Sequence, residues 1–590
     1  MAFSLLALAV APFILTIPAH ATDADDNTVS ITVDPSAELK PAGNLYKAIT
    51  NVAVKTGKPY GFNLTMQAAT ANLLNSKDPT HNISAPQSAT PVALGANQWG
   101  YSLNKSATTF SAVPAGAQAT PAVVADVTKV KPAGCTNPAN CTKSVTFAAN
   151  VDPAKLASGS YSTAITYTAT AKPAPKPVDW TNRTAKANPS ETCQAGNTNS
   201  SCLVTLDKNM IPVKYTGSTT NAQWTSVADP EAANSGWYDY ANKQWANAIT
   251  VKPEALAKYR GFSKVVDQAD ILGYWVYIPR YRYKVLRFSG SDPAVSAQNF
   301  TIEFENKQST KAVPTANGTW ATHPAFTFGT KELNGIWFGK FETTGGNSNP
   351  TVLPGKFHIS YYNVGAYYSV AKSIGVYDSQ NVGGNSVTAT QNSHNLAKFS
   401  SRMVNNSDWG AATYLSASKY GASYNGVHIN PSDDNTGYNY NTSDGQLTST
   451  TNNPTGIYDM SGGGEEYVAA SYSDNLNNSN TNDNFGSIAA HPPYVNTYNF
   501  KDFNSCTYQT CGGQALYETH NGLSRTRSNM WLNQTAYFVG KDRYFYPWFR
   551  RGGGGYIDGL DAGLFYAGGG PGVGGGHGAF RVALAPAPHD

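Results

Sequence analysis

The sequence has few charged residues, few cysteines and, after its first residues, no long apolar run. Charged side chains make up 14% of the 590 residues, and the formal net charge is only +4. The chain contains no basic stripe, which argues against nucleic acid as its main partner. A cytosolic enzyme usually carries more charge, so this composition favours an exported protein.

The one long apolar run lies in residues 1–21. It reads FSLLALAVAPFILTIPAHA, ends in Ala19-His20-Ala21, and is followed by the acidic TDADD. This pattern is typical of a secretory signal peptide. No lysine or arginine precedes the run, so an N-terminal anchor is the alternative, because about 18 apolar residues can span a bilayer. Both interpretations predict a secreted or cell-surface protein, the second with membrane attachment through this segment.

The six cysteines form three pairs that are close in sequence. An even number of cysteines in an exported chain predicts disulfides. Zinc is the alternative, but the spacings are not those of zinc knuckles, and only His520 is near any pair. The predicted disulfides are Cys135 with Cys141, Cys193 with Cys202, and Cys506 with Cys511.

Tyrosine and glycine are abundant. Short segments in which apolar and polar residues alternate are also frequent, and their distribution divides the chain into regions. Residues 27–172 contain VSITV, YGFNLTMQA, QWGYSL, KSVTFAANVD and GSYSTAITYTATA, separated by turn residues. These alternating runs predict an all-β, immunoglobulin-like sandwich. Residues 173–234 then read as a proline-rich linker and a disulfide loop, because clustered prolines favour an extended chain.

Residues 235–590 have a different composition, dense in tryptophan and tyrosine and with long polar loops. The segment SRMVNNSDWGAATYLSASKYG predicts a helix, capped by Ser407 or Asp408, with Trp409, Ala412 and Leu415 on one face. Few other segments are helical, so an α+β domain is expected.

Glycine occupies about half of the positions between Arg551 and Gly578. Aromatic and β-branched strand sequences flank this stretch, YFYPWFR before it and AFRVALA after it. A disordered tail is the alternative that composition alone favours. The flanking strands and the aromatic residues within the stretch instead predict an ordered loop.

Four segments carry a resemblance to a known family. They are NGIWFGKFETT, the predicted helix segment, TGIYDMSGGGEEYVAAS and the terminal RGG to AFRVALAP. Together they resemble the formylglycine-generating-enzyme-like (sulfatase-modifying-factor-like) domain, a variant of the C-type lectin fold. The resemblance covers 235–590 and implies a C-type-lectin-like α+β fold for that region.

The oxidases of that family use two cysteines in the last stretch, whereas this chain has none after Cys511. The second would fall near Gly563. A chain without this thiolate pair lacks the family's copper site. We therefore expect a protein that is not an enzyme and needs no cofactor, with a structural calcium ion as the remaining metal alternative.

A narrower resemblance is to the target proteins of diversity-generating retroelements, which place a variable region at the C-terminal end of this fold. In such proteins, mutation of adenines in Asn codons changes loop residues on a constant scaffold. The glycine runs at 568–570 and 574–576 lie where the Asn runs of those proteins lie. The resemblance implies a variable loop over 551–582.

The predicted ligand contacts are exposed aromatic, acidic and glycine residues of this loop, a chemistry also found in antibody paratopes. Leu564 is expected in the core instead, and for Phe565 a core position is an equal alternative. The contacts are Tyr556, Ile557, Asp558, Leu560, Asp561, Phe565, Tyr566, Gly568, Gly569, Gly570, Gly574, Gly575, Gly576 and His577.

Other polar residues are expected to have structural roles. Glu465 and Glu466 are adjacent on a strand and point to opposite faces, so they cannot serve one site, and a structural or calcium-facing role is expected. His323 is expected to pack in the core or a turn. Arg280, Arg282 and Lys284 alternate and predict a solvated face.

The sequence thus predicts a surface receptor or adhesin that displays a diversified loop to an unknown protein or glycan on another cell or a phage. Two alternatives stay open: an oxidase of the formylglycine-generating type, and an invariant structural or adhesion module.

Overall fold

In the computed structural model the chain forms two units, Met1–Pro175 and Lys176–Asp590. The structure describes residues 29–33, 38–56, 61–88, 90–116, 118–127, 135–137, 140–172, 188–197, 200–218, 221–232, 235–289, 292, 295–377, 392–432, 435–472, 493–498, 506–520, 531, 534, 536–537, 546–554, 562–573 and 575–587. The predicted signal or anchor segment 1–21 lies outside these residues. Within the described residues, no helix is long and apolar enough to cross a membrane.

The first unit consists of strands. They are β1 Val29–Val33, β2 Lys40–Ala42, β3 Leu45–Thr56, β4 Phe62–Ala68, β5 Leu73–Asn75, β6 Asn82–Ile83, β7 Gln98–Ser102, β8 Ala122–Val127, β9 Cys135–Asn137, β10 Asn140–Asn150, β11 Tyr161–Ser162 and β12 Ile165–Ala171. One sheet has the order β1-β3-β10-β7, with β2 beside β3 and β9 beside β10. Two three-stranded sheets have the orders β12-β4-β8 and β11-β5-β6.

Alternation explains how these sheets form a core. In β4 the residues Phe62, Leu64 and Met66 are buried and their neighbours are half-buried. They join Val145 and Phe147 of β10 in one apolar cluster, so two sheets share a core. The five predicted strand segments are confirmed. Strand β3, the central partner of β1 and β10, is not among the predicted segments, because its polar residues obscure its alternation.

The second unit contains the remaining strands and all the described helices. The strands are β13 Ile211–Tyr215, β14 Trp224–Ser226, β15 Asn247–Val251, β16 Ile271–Pro279, β17 Tyr281–Lys284, β18 Ile302–Phe304, β19 Trp320–Thr322, β20 Thr327–Phe328, β21 Lys331–Glu332, β22 Gly335–Gly339, β23 Thr344–Gly346, β24 Asn349–Thr351, β25 Phe399–Met403, β26 Glu465–Tyr472, β27 Asn496–Tyr498, β28 Ala536–Tyr537, β29 Trp548–Gly553, β30 Ala562–Gly570, β31 Gly578–Phe580 and β32 Val582–Pro586. The α-helices are α1 Leu256–Tyr259, α2 Val364–Lys372, α3 Asn406–Ser416, α4 Ser443–Gln446 and α5 Tyr508–Cys511, and the 3-10 helices are Tyr240–Asn242, Pro253–Ala255, Gln268–Asp270 and Pro324–Phe326.

Two larger sheets organise this unit. The first has the order β14-β13-β15-β16-β22-β32-β25, so the C-terminal strand β32 lies inside it, between β22 and β25. The second has the order β27-β26-β29-β30-β28, and β31 pairs in parallel with β26. Strands predominate and helices are few, which confirms a β-rich α+β fold at this coarse level.

The predicted helix is α3, but its cap differs from the prediction. Asn405 is the N-cap: its side chain accepts a hydrogen bond from the backbone N–H of Asp408, and the Asp408 side chain accepts one from Asn405. This reciprocal pair satisfies two N–H groups at the helix start. The prediction of Ser407 or Asp408 as the cap is therefore wrong by two or three residues. Trp409, Ala412 and Leu415 are buried as expected.

The second unit begins earlier than the predicted domain start at residue 235. Cys193, Cys202, Ile211 and Trp224 belong to the same apolar cluster as the core of this unit. The described part of the predicted linker and disulfide loop is therefore packed structure, because it supplies β13 and β14 at one edge of the first large sheet and apolar side chains to the core.

Two predicted disulfides are confirmed, Cys193 with Cys202 and Cys506 with Cys511. Cys135 pairs with Cys141 as backbone neighbours of β9 and β10, and Cys141 is disulfide-bonded. The side chain of Cys135 lies outside the described part of the structure. Disulfides of this kind form in an oxidising environment, such as the outside of a cell.

Candidate functional site

The C-terminal glycine-rich stretch is held between strands on both sides. Strand β29 pairs antiparallel with β30, and the chain returns through β31 to the central strand β32. This confirms that strands bracket the stretch. The predicted contacts Tyr556, Ile557, Asp558, Leu560, Asp561 and Gly574 lie outside the described residues.

The first described part of the stretch is not exposed. Phe565 is fully buried and its ring contacts Trp531 with ring centroids 5.3 Å apart. Tyr566 is 6% exposed, and its hydroxyl donates to Glu465 at 3.2 Å. The prediction that these two side chains are exposed is wrong, because β30 is an inner strand between β29 and β28 with both of its faces covered. Leu564 is buried as expected.

The glycines of β30 are also strand residues. Gly568 and Gly570 are buried, Gly569 is half-buried, and all three pair with β29. A Cβ atom at Gly570 would lie 2.6 Å from the ring of Tyr467, and one at Gly563 would lie 2.1 Å from the side chain of Gln534. Close packing against the Tyr467 ring therefore favours glycine at 570. At 563 the contacting atoms are the movable end of the Gln534 side chain, and the φ of +140° is what favours glycine there.

The chain reaches the surface after β30. Gly575 and His577 are exposed, Gly576 is half-buried and Val573 is 39% exposed. Gly575 and His577 are thus accessible to a partner, and their role as ligand contacts stays a prediction. Backbone hydrogen bonds hold the described residues on either side of position 574: Gly572 accepts from the N–H of Val364 at 2.9 Å, and the Gly578 N–H donates to Gly575 at 3.1 Å.

A second segment, which the sequence analysis missed, runs beside this surface. Phe357, Tyr361 and Tyr362 are 70%, 77% and 37% exposed. The Tyr361 N–H donates to Gly575 at 3.3 Å. A Cβ atom at Gly576 would lie 2.7 Å from the Tyr361 hydroxyl, so the tyrosine side chain lies against this glycine. We call residues 357–362 the aromatic segment; the only signal of it in the sequence is the doublet YY in FHISYYN.

Tyr361 also has an unusual backbone conformation, with φ at +64°. Residues other than glycine and asparagine adopt this left-handed backbone conformation at a cost of about 1–3 kcal/mol. The neighbouring contacts with Gly575 and Gly576 hold the residue there. The strained backbone and the exposed ring together set Tyr361 apart from an ordinary surface tyrosine.

A buried charged network lies beneath the two exposed segments. Arg581, which follows β31, donates to Glu466 through Nε at 3.0 Å and Nη2 at 2.5 Å. Its Nη1 and Nη2 also donate to the carbonyls of Gly339 and Tyr458. Burial raises the pKa of Glu466 to about 7, while Arg581 opposes that shift. The network therefore joins β22, β26 and the end of β31.

Two further acids belong to this network. Glu342 accepts from the Gly464 N–H at 2.8 Å and lies 3.6 Å from Nδ1 of His358. Asp459 accepts from the Gly437 N–H at 2.8 and 2.9 Å and from Asn430. Burial raises the pKa of both carboxyls. N–H donors and the nearby Arg581 guanidinium thus favour the charged forms of these acids, and no group of three or more His, Cys, Asp or Glu side chains that could hold a metal ion occurs among the described residues.

The two adjacent glutamates do point to opposite faces, as predicted. Glu466 binds Arg581 in the interior, whereas Glu465 pairs with Arg550 and accepts from Tyr566. The two carboxylates therefore belong to different neighbourhoods and share no site. Glu465 links β26 to β29 and β30 and supports the strand that leads to the exposed loop.

The other basic and imidazole candidates are structural. His323 caps the 3-10 helix Pro324–Phe326 and packs against Tyr281 and Tyr414, which confirms core packing. Arg280 is fully buried and pairs with Glu305 at 2.8 Å, so its predicted place on a solvated face is wrong. Arg280 is buried because Glu305 and Glu332 pair with its guanidinium group.

Arg282 and Lys284 continue the same alternation nearer the solvent. Arg282 is partly exposed and pairs with Glu303 at 2.5 Å, and Lys284 is exposed. The solvated face therefore begins at Arg282.

No family model and no curated protein matches the chain.

Proposed function

We propose that this protein is an exported binding protein whose second unit presents the loop 571–577 and the aromatic segment to a partner. The observation that carries the proposal is the exposure of Phe357 and Tyr361 beside a pinned glycine loop. Large aromatic side chains supply much contact area at a small rotamer cost, and they dominate the energy of many interfaces. Their exposure in the isolated chain is unfavourable unless a partner covers them.

The scaffold is suited to this role because the loop is preorganised. The backbone contacts of Gly572 and Gly575 and the strands β30 and β31 fix both ends of the loop. A fixed loop loses little conformational entropy when it binds. A protein ligand fits the aromatic surface best, and a glycan on another cell or phage is the alternative that the same loop could contact.

The lectin-type scaffold and the immunoglobulin-like sandwich remain part of this proposal. The lectin-type scaffold is supported by contacts between the segments that carry the resemblance. The Gly462 N–H donates to Gly552 at 3.1 Å, and Glu466 binds Arg581. Gly462 and Gly463 have φ near +78° and +79°, which explains the glycines of SGGG. Diversification of the loop would then act on exposed positions such as 575 and 577 and spare the packed glycines of β30.

We also propose that binding rather than catalysis is the activity. The cysteines whose side chains are described are all bonded, and the oxidase family needs a reactive thiolate pair. An invariant adhesion module would use the same surface. The nucleotide sequence separates it from a diversified binder, which requires a near-repeat of the loop that differs at adenines beside a reverse transcriptase gene.

The proposal is tested with the full exported chain, labelled and incubated with a panel of intact bacterial cells and phage particles. Where wild type binds, the triple variant Phe357→Ala/Tyr361→Ala/Tyr362→Ala should bind about 30-fold more weakly, the loss expected for about 2 kcal/mol at interface anchors. The matched control is Tyr377→Ala, an exposed tyrosine after the far end of α2. Equal binding by the triple variant, with an unchanged melting temperature, would exclude the aromatic segment from the interface.

A further inference from the structure

A cavity of about 220 Å³ lies in the second unit, away from the residues of the proposed partner surface. Strands β13 and β14, the segment around 236–247 and the turn at 453–455 enclose it. It is smaller than the sites that take drug-sized ligands, which measure about 300–1,000 Å³. A ligand of one small ring would fill it.

Aromatic rings form one wall of the cavity. Tyr215 and Trp224 meet edge to face with centroids 5.3 Å apart, and Trp237 and Trp245 complete the wall. Hydrogen bonds fix two of the indoles: Trp237 donates to the carbonyl of Asn247 at 2.7 Å, and Trp245 donates to that of Tyr420 at 2.8 Å. The wall is therefore rigid before any ligand arrives.

The indole N–H of Trp224 is different. It is buried and has no hydrogen-bond partner among the described residues. A buried donor without an acceptor costs about 1–3 kcal/mol. Because water does not reach this N–H, a ligand in the cavity would contact the Trp224 ring and not its N–H.

The charges around the cavity exclude a cationic ligand. Lys214 lines it, and its Nζ donates to the carbonyl of Ser235 at 2.8 Å. Lys340 lies behind the wall with Nζ 5.0 Å from the centre of the Trp224 ring, held by Asn247 and two backbone carbonyls. The lining contains no Asp or Glu side chain among the described residues. An aromatic cage for an ammonium group would need the opposite charge.

The rim carries neutral hydrogen-bonding groups. Asn242 and Gln244 line the cavity and are exposed to solvent. Asn242 Nδ2 donates to Asp239 at 2.8 Å, which orients the amide and leaves its oxygen as an acceptor. Amide side chains donate and accept at once, as hydroxyl-rich ligands require.

We propose that this cavity binds one saccharide unit, with an apolar C–H face of the sugar ring against the indoles and its hydroxyls at Asn242, Gln244 and Lys214. A sugar ring combines these two kinds of surface, an apolar face and a rim of hydroxyls that donate and accept. Neither an aliphatic ligand nor a simple anion would use both the aromatic wall and the amide rim. The site is independent of the partner surface proposed above.

The test uses the full chain with glucose, galactose, mannose, N-acetylglucosamine and glucuronate, each followed by indole fluorescence and by saturation-transfer NMR. At least one sugar should change the fluorescence and receive saturation at its ring protons. Asn242→Ala/Gln244→Ala should weaken the binding of that sugar about tenfold or more, since each lost hydrogen bond contributes about 0.5–1.5 kcal/mol. The matched control Gln308→Ala removes an exposed amide elsewhere in the same unit and should bind as wild type does.

Trp224→Phe provides a second variant because it keeps an aromatic ring and removes the buried N–H together with the five-membered ring of the indole. It should weaken sugar binding because the aromatic wall becomes smaller, and it should lower the melting temperature because Trp224 is a core residue, so binding is measured at a temperature at which the variant is folded. Three results overturn the proposal: no sugar binds, the double variant binds as tightly as wild type, or tetramethylammonium binds more tightly than every sugar.

Discussion

Arg581 and Glu466 are 115 residues apart in sequence, yet they form a bidentate ion pair in the interior of the second unit, with N–O distances of 3.0 and 2.5 Å. Both side chains are almost completely buried. The pair connects the chain after β31 to β26, and therefore helps to position the exposed loop that precedes β31.

Removal of one partner of this pair should be costly. We expect Arg581→Met to lower the free energy of unfolding by about 3–5 kcal/mol at neutral or higher pH, because it leaves a buried carboxylate without its cation. Urea denaturation measures the change. The control is Arg282→Met, because the pair of Arg282 with Glu303 is partly exposed. Loss of that pair should lower the free energy of unfolding by about 1 kcal/mol or less. Similar losses for both variants would contradict the structural role of the Arg581 pair.

Phe565 tests the corrected position of strand β30. We expect Phe565→Ala to destabilise the protein by about 3–5 kcal/mol, because the ring is fully buried and a cavity would remain. Phe357→Ala is the matched control: its ring is 70% exposed, and the change should stay within about 0.5 kcal/mol. Thermal and urea unfolding measure both. An unchanged stability for Phe565→Ala would mean that the loop begins earlier than β31 and includes β30.

His323 should contribute to the loss of stability in acid. Burial lowers the pKa of His323 to about 3, below the value of about 6.5 expected in the unfolded chain. The unfolded state therefore binds more protons between these two values, and stability present above about pH 6.5 is lost as the pH falls toward 3. His323→Asn keeps a side-chain acceptor for the cap of Pro324–Phe326 but does not titrate.

The measurement for this prediction is the difference in unfolding free energy between wild type and His323→Asn as a function of pH. From about pH 6 to about pH 5 the wild type should lose about 1.4 kcal/mol more than the variant for each pH unit. The smaller side chain adds a constant offset, so only the slope is diagnostic. A difference that does not change with pH would show that the imidazole is protonated in the folded state.

The Cys193–Cys202 disulfide should stabilise the second unit. It closes a loop with a sequence separation of nine residues, and we expect Cys193→Ala/Cys202→Ala to reduce stability by about 2–3 kcal/mol through the unfolded chain. Denaturation with and without reductant measures this. Reductant should bring wild type close to the double variant and change the double variant less. If reductant leaves wild-type stability unchanged, the bond contributes nothing to the fold.

Patterns within short segments were predictable from the sequence. The alternation in β4, the strand β10, the helix around Trp409, two of the three cysteine pairs and the strands that flank the glycine-rich stretch are local properties, and the structure bears them out. Side-chain direction along one strand was predictable for the same reason, so Glu465 and Glu466 point to opposite faces as expected.

Burial was not predictable where it depends on a second segment. Phe565 looked like a loop contact until Trp531 and β29 covered it, and Arg280 looked solvated until Glu305 covered it. Phe357 and Tyr361 became candidate contacts only because the fold places the aromatic segment against Gly575 and Gly576. The sequence alone therefore determined which residue types the C-terminal region has and that strands flank its glycine-rich stretch. Tertiary structure decided which of them meet solvent, because exposure depends on what other parts of the chain pack against each face.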